Sequence, residues 1–201
     1  MKTVVVVDYG VGNIPNAVRG LQRAGADVTL SADPGVVAAA ERLVLPGVGA
    51  FPAAMARLEA LHLDVAIRDV AAMGVPVLGI CLGHQLLFEA SEEFGSTPGL
   101  GLLAGRVVPL PPVARVPHLG WSSLRTTPGD PLVEGLDGGY AYFVHSFAVL
   151  EAADAVATFD FGGVPVCAAV RRGTICGTQF HPEKSAAPGA RLLSNFLGLS
   201  Q

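Results

Sequence analysis

Apolar residues fall into two kinds of run along this chain. Short unbroken runs edged by glycine, proline or a polar residue read as strands, and sparser runs with apolar positions three and four apart read as helices. Thr3–Asp8 reads as a strand, the segment from about Asn13 to Ala24 as an amphipathic helix, and Asp27–Leu30 and Arg42–Leu45 as strands. Helical pattern covers roughly Phe51 to Met73, and Pro76–Ile80 makes a fourth strand. Strands that are apolar throughout, with helices between them, predict a parallel sheet buried on both faces. Beyond about Gly95 proline and glycine cluster, in "STPGLGLLAG" and "VVPLPPVARVPHLGW". There "AYFVHSFAVL", "GVPVCAAVRR" and "TICGTQF" read as further strands, the later ones antiparallel, and Gly189–Leu199 as a closing helix. No repeat or low-complexity linker interrupts the pattern. Residues 1–201 are therefore expected to form one α/β domain: an open, mainly parallel central sheet, helices on both faces, and added antiparallel strands in the C-terminal half.

Composition narrows the function classes. With 201 residues, 51% hydrophobic and 15% charged, the chain can bury a substantial core and is not expected to be disordered. The longest uncharged apolar stretch, Val70 to Gly83, is too short to span a bilayer and contains Pro76. Met1-Lys2-Thr3 runs straight into a strand, without the pattern of a signal or transit peptide, so the expected location is the cytoplasm. A net charge of −4 with no Lys/Arg cluster gives no footprint for nucleic acid. The cysteines Cys81, Cys167 and Cys176 are odd in number and form no CxxC pair. Neither a disulfide framework nor a cysteine zinc site is expected, and no cofactor or metal is implied.

In an open parallel sheet, ligands gather outside the carboxyl ends of the strands. Four distinctive stretches sit just past such ends: "DYGVGN", "PGVGAF", "CLGHQ" and "QFHPEKS". Gly79-Ile80-Cys81-Leu82-Gly83 has the G-x-nucleophile-x-G form of a nucleophile elbow, with cysteine in place of serine. At a strand-to-helix turn Cys81 would face helix N–H groups that favour a thiolate, and the Leu82 N–H could serve an oxyanion. Read alone, the string also fits an inert core thiol beside two packing glycines. The candidate bases are His62, His84, His118, His145 and His181. His62 reads as a helix-surface residue, and His84, three positions after Cys81, as an orienting or packing residue. His181 stands at a strand end with Glu183 two positions on, where alternation along extended chain puts both side chains on one side. Glu183 could then fix the imidazole tautomer, as in a Cys–His–acid triad. The glycines of Pro46-Gly47-Val48-Gly49 would let a peptide turn its N–H, from Val48 or Gly49, toward the same site. "Gly10-Val11-Gly12" lacks the third glycine of a dinucleotide fingerprint.

Side by side, these stretches resemble the class I (triad-type) glutamine amidotransferases, which share "GICLGHQ" and "FHPE". The closer resemblance is to the glutaminase subunits of imidazole glycerol phosphate synthase. It rests on "DYGVGN" (8–13), "LPGVGAF" (45–51), "VPHLGW" (116–121), "YFVHSF" (142–147) and "GTQFHPEKS" (177–185), in family order along nearly the whole chain. The resemblance implies a flavodoxin-like fold and a glutaminase of histidine biosynthesis. Such an enzyme hydrolyses L-glutamine through a γ-glutamyl thioester and passes ammonia to a (β/α)₈-barrel cyclase subunit in a heterodimer. Carried over by position, Cys81 is the nucleophile, His181 the base and acid, and Glu183 the orienting carboxylate. Val48, Gly49 and Leu82 supply oxyanion donors. Gln85, Glu93, His145, Ser146 and Phe147 hold glutamine, and Asn13, Asn16, Trp121, Tyr142 and Lys184 face the cyclase. Trp121 is the only tryptophan and reads as part of a proline-rich loop; Lys184 and Lys2 are the only lysines.

Three residues depart from the family pattern. His84 stands where methionine is more usual, Ser122 where asparagine follows "GW", and Phe147 where tyrosine follows "HS". "CLGHQ" is more typical of the carbamoyl-phosphate and anthranilate synthase glutaminases. A glutaminase of another synthase is therefore the alternative reading, and a non-enzymatic redox or interaction protein, or a solitary cysteine hydrolase, the more distant ones.

Overall fold

The structure, a computed structural model, describes residues 2–200. Its first half runs β1 (Lys2–Val7), α1 (Ile14–Arg23), β2 (Ala26–Ser31), α2 (Pro34–Ala38), β3 (Leu43–Gly47), α3 (Phe51–Ala60), α4 (Leu63–Ala72), β4 (Val77–Cys81) and α5 (Leu82–Leu86). Then come β5 (Phe88–Ser91), β6 (Thr97–Pro98), β7 (Leu103–Pro109), β8 (His118–Ser123), β9 (Arg125–Thr126), β10 (Tyr140–His145) and β11 (Phe147–Ala148). The chain closes with β12 (Ala155–Phe161), β13 (Val164–Arg172), β14 (Ile175–Thr178), a 3-10 turn at Pro182–Lys184, and α6 (Ala186–Gly198).

The main sheet has the order β2-β1-β3-β4-β14-β13-β12-β9. From β2 to β14 neighbouring strands are parallel, and from β14 to β9 they are antiparallel. Alternation along the strands sends side chains to two separate cores. Val4, Val6, Val44, Leu78 and Ile80 join Leu21 of α1 and Leu192, Leu193 and Phe196 of α6 on one face. Val7, Leu43, Leu45 and Val77 join Phe51, Leu58, Ile67 and Leu82, from α3, α4 and α5, on the other. Two smaller sheets, β10-β8 and β11-β7-β5-β6, complete the fold. The expected sheet with helices on both faces is the one observed. Among the described residues no helix is long and apolar enough to cross a membrane.

Local features differ from the sequence reading, each for a physical reason. The helical pattern over Phe51–Met73 is two helices, because His62 adopts a left-handed conformation (φ 55°) and breaks the ladder. His62 is therefore an exposed turn residue and not on a helix surface. The short α2 carries no helical signal in the sequence, because Asp33-Pro34-Gly35 reads as a turn. The Asp33 carboxylate accepts from the Gly35 and Val36 N–H groups and so caps a helix there. Strand β14 is antiparallel to β13, as expected, but on its other side lies parallel to β4, with Thr178 opposite Ile80. Trp121 belongs to β8 and not to a loop, and α6 begins at Ala186, ahead of Gly189.

Where α5 meets the sheet, backbones touch. A Cβ on Gly83 would lie 1.8 Å from the Leu45 carbonyl oxygen, and one on Gly79 would lie 2.5 Å from the Gly83 carbonyl oxygen. Gly83→Ala is accordingly expected to cost about 3 kcal/mol or more. Gly198→Ala, with nothing within 4 Å, should stay within about 0.5 kcal/mol of the parent. Urea midpoints of the two variants check this.

Candidate active site

Cys81 closes β4 and directly precedes α5, with φ 55° and ψ −106°. That is left-handed backbone in a residue with a Cβ, a strained elbow held by the glycine contacts just described. The helix behind it is little more than one turn. Its first free N–H groups, and not the summed dipole of a long helix, are what such a helix has to offer a sulfur at its start. Cys81 is 6% exposed and lies at a cavity of about 360 Å³. Val48, Gly49, Cys81, Leu82, Gln85, Glu93, Val144, His145, Ser146 and Phe147 line it. The structure thus brings together every residue that the sequence suggested for oxyanion and substrate contact, together with the nucleophile candidate.

His181 and Glu183 do not line the cavity; they back it. His181 Nδ1 and Glu183 Oε1 are 2.8 Å apart, both side chains almost wholly buried. The contact does not come from alternation along an extended strand. Glu183 lies in the 3-10 turn after His181, which folds its carboxylate back onto the ring. Gly20 of α1 lets this turn approach: a Cβ there would sit 3.2 Å from Glu183 Cβ. The Nε2 edge of His181 finds no hydrogen-bond geometry among the described residues, yet it lies within electrostatic reach of Cys81. Burial pulls the imidazole pKa down, but the nearby Cys81 sulfur, with the hydrogen bond and charge of Glu183, outweighs it and raises it to about 9.

Gln179 has no role in the sequence reading. Its Nε2 stands 3.8 Å from Cys81 Sγ as donor, and its Oε1 accepts from Gln85 Nε2 at 2.9 Å. Gln85 Nε2 also donates to the Phe147 carbonyl at 2.9 Å. The available signal was position, since Gln179 precedes His181 by two residues in the same motif. Val144, the other omission, reaches the cavity from β10. Glu93 Oε2 accepts from the Phe51 N–H at 2.7 Å, so this cavity carboxylate also caps α3.

Burial drives two other histidines, His145 and His84, toward the neutral form. His145 donates from Nδ1 to the Phe147 carbonyl (2.9 Å), leaving Nε2 as an unpartnered acceptor. Burial above all, with the charges of His118 and His181, lowers it to about 4 against the opposing Phe147 bond. His84 is fully buried edge-on to Phe88, and neither ring nitrogen has a partner among the described residues. Burial, then His145, lowers it to about 3. His118 Nε2 and Ser122 Oγ are 3.0 Å apart. No group of three or more His, Cys, Asp or Glu among the described residues is placed to hold a metal.

The residues expected to meet a partner lie outside the cavity. Trp121 is 51% exposed and packs edge-on to Tyr142 at 5.8 Å, and Lys184 Nζ stands 5.6 Å from the Tyr142 ring centre. Asn13 and Asn16 are half-buried at the start of α1, where Arg19 donates to the Asn16 side-chain oxygen.

A strained cysteine elbow, a buried His–Glu pair and a lined cavity at the carboxyl ends of parallel strands define a class. The glutamine amidotransferase class-I family model matches residues 5–198. The chain belongs to that family. It is 45% identical over 198 residues to the imidazole glycerol phosphate synthase subunit HisH of Moorella thermoacetica, covering 98% of this chain and 94% of that protein. To the HisH subunit of Natronomonas pharaonis it is 48% identical over 202 residues, covering 96% and 93%. A crystal structure of a glutamine amidotransferase superposes with a TM-score of 0.75 at 21% identity, covering 97% of this chain and 99% of that one, a likeness of fold.

His84→Met, which removes two unpartnered buried nitrogens at similar volume, should stabilise the fold by about 1 kcal/mol. In the parent, unfolding lets His84 take up a proton from about pH 6.5 downward while the folded form resists to about 3. Stability is therefore lost as pH falls through that window, and the variant should lose less. Urea midpoints at pH 7 and pH 5 test both statements.

Proposed function

We propose that this chain is the glutaminase subunit of an imidazole glycerol phosphate synthase. It hydrolyses L-glutamine to glutamate and delivers ammonia to a cyclase subunit of (β/α)₈-barrel form. The observation that carries the reading is the buried His181–Glu183 pair, set across the β4–β14 seam from a strained cysteine that opens into an amino-acid-sized cavity.

In this reading the Cys81 sulfur attacks the side-chain amide carbon of glutamine. A C–S bond forms while the carbonyl electrons move onto oxygen. The N–H of Leu82 and that of Val48 or Gly49 donate to this oxyanion, worth roughly two to four kcal/mol per well-placed donor. Collapse expels the nitrogen, and His181 gives it the proton it needs to leave as ammonia. His181 then takes a proton from water as the water oxygen attacks the thioester. The C–S bond breaks, glutamate forms with release of one proton, and the cysteine–imidazole pair is restored. An imidazole raised to about 9 carries its proton at neutral pH, as the first step requires.

The apolar surface beside the cavity supports delivery to a partner. On the β8–β10 ladder, exposed Leu119 and Trp121 stand opposite Val144 and Tyr142. Val144 also lines the cavity, so the stripe that ends in Trp121, Tyr142 and Lys184 begins at the site. Ammonia crossing there into a docked barrel avoids protonation in bulk water. Asn13 and Asn16, at the start of α1, face the same partner in this reading by position in the family motif. His84, wholly buried, is not part of this surface.

Cys81→Ala should abolish glutamine-dependent product formation by the complex while added ammonium salts still support the cyclase. Retained glutamine-dependent turnover would refute the nucleophile. Activity should decline as pH rises through about 9, where His181 loses its proton. Glu183→Gln removes one of the charges that hold that proton. The high-pH limb should move to lower pH and kcat drop by about 10²-fold or more, read from a pH profile of glutamate release.

A further inference from the structure

Tyr9 lies just past β1, fully buried, with its hydroxyl donating to the Pro46 carbonyl at 2.8 Å. Its own carbonyl accepts from Arg57 Nε at 3.2 Å, so the residue is held at both ends. Pro46 lies near the end of β3, one residue before the turn in which Val48 and Gly49 line the cavity. Gly47, between them, is pinched: a Cβ there would lie 2.5 Å from the Tyr9 oxygen and 2.9 Å from Leu82 Cβ. Gly47 is also the lateral partner of Cys81 across the parallel β3–β4 pair. The phenol thus sits at the junction of the turn, the elbow and the nucleophile strand. Its ionisation is opposed by burial and then by Cys81, so it stays a neutral O–H donor.

Beyond Gly47 the constraint ends. Among the described residues the Val48 and Gly49 N–H groups enter no hydrogen bond, and Gly49 has φ +105°, open to glycine alone. Amides that must meet a transient oxyanion need a fixed point behind them, because a peptide plane is rigid and its orientation is set by its neighbours.

Building on the glutaminase reading, we propose that Tyr9 is a positioning residue for hydrolysis. Its hydroxyl clamps the Pro46 carbonyl and thereby fixes how the Val48–Gly49 amides are presented to the oxyanion.

Tyr9→Phe keeps the ring in its pocket and removes only the oxygen. In the full-length chain assembled with its cyclase subunit, kcat for glutamate release should fall about tenfold or more while KM for glutamine stays within about twofold. Alkylation of Cys81 by iodoacetamide, which builds no oxyanion, should keep its rate, as should cyclisation driven by ammonium salts. A purely structural tyrosine would lower thermal stability without separating these readouts. An unchanged kcat, a rise in KM alone, or an equal fall in the alkylation rate would overturn the clamp. A wild-type complex that releases no glutamate would overturn the glutaminase reading and the clamp with it. A working wild type beside an indistinguishable variant overturns the clamp alone.

Discussion

The site depends on how closely α5 lies on the sheet. At the β4–β14 seam, Gly79 and Gly177 are partners in register, and both lie beneath that helix. A Cβ on Gly177 would come within 2.4 Å of His84 Nδ1, and one on Gly79 would strike the Gly83 backbone. Gly83 in turn rests on the Leu45 carbonyl of β3. Two adjacent parallel strands, β4 and β14, therefore give up side chains at one level, and the helix gives up its own at Gly83 against β3, so that a single helical turn can settle on them. That descent forces Cys81 into left-handed backbone at the top of β4. It also leaves room for the residues after β14 to pass alongside, which is how His181, a hundred positions later, reaches the cysteine.

Burial acts alike on the imidazoles gathered here, and what each ring touches decides the outcome. His84, buried without a hydrogen-bond partner, and His145, bonded through one nitrogen to a carbonyl, are both driven toward neutrality. His181 suffers the same desolvation but is answered by a carboxylate on one side and a thiol on the other, and moves the opposite way. One packed region thus holds a single proton-carrying ring among neutral ones. That separation of acid from bystander is what ordered proton transfer needs.

Much of this was legible in the sequence, for reasons that differ by residue. The elbow and the His-x-Glu pair could be read because their chemistry restricts residue type, and the cavity residues because a family resemblance carried them by position. The parallel direction of β14 was not legible. A short apolar strand looks the same whichever way its neighbour runs, and only pairing with a strand nearly a hundred residues earlier decides it. The break at His62 left no trace because neither glycine nor proline marks it. Gln179 and Tyr9 give no signal in the sequence, because glutamine and tyrosine carry no chemistry of their own here. Each matters through one partner, a sulfur in one case and a carbonyl in the other, and a partner distant in sequence is what a linear reading lacks.

The strand β10 shows how the fold makes one backbone answer to two faces. Tyr142 and Val144 point toward the apolar outer stripe, while Phe143 and His145, between and beyond them, point inward. The Tyr142 carbonyl accepts from the His181 N–H at 3.0 Å. The Tyr142 N–H donates to Ser185 Oγ, which itself donates to the His181 carbonyl at 2.6 Å. The peptide carrying the general acid and base of the proposed reaction is thus tied at both its polar groups to the residue that presents the outer aromatic. Glu183 meanwhile hangs from the turn between those ties. A rigid mount for His181 and a rigid frame for the exposed stripe are therefore the same hydrogen bonds, so neither surface can be shaped without fixing the other.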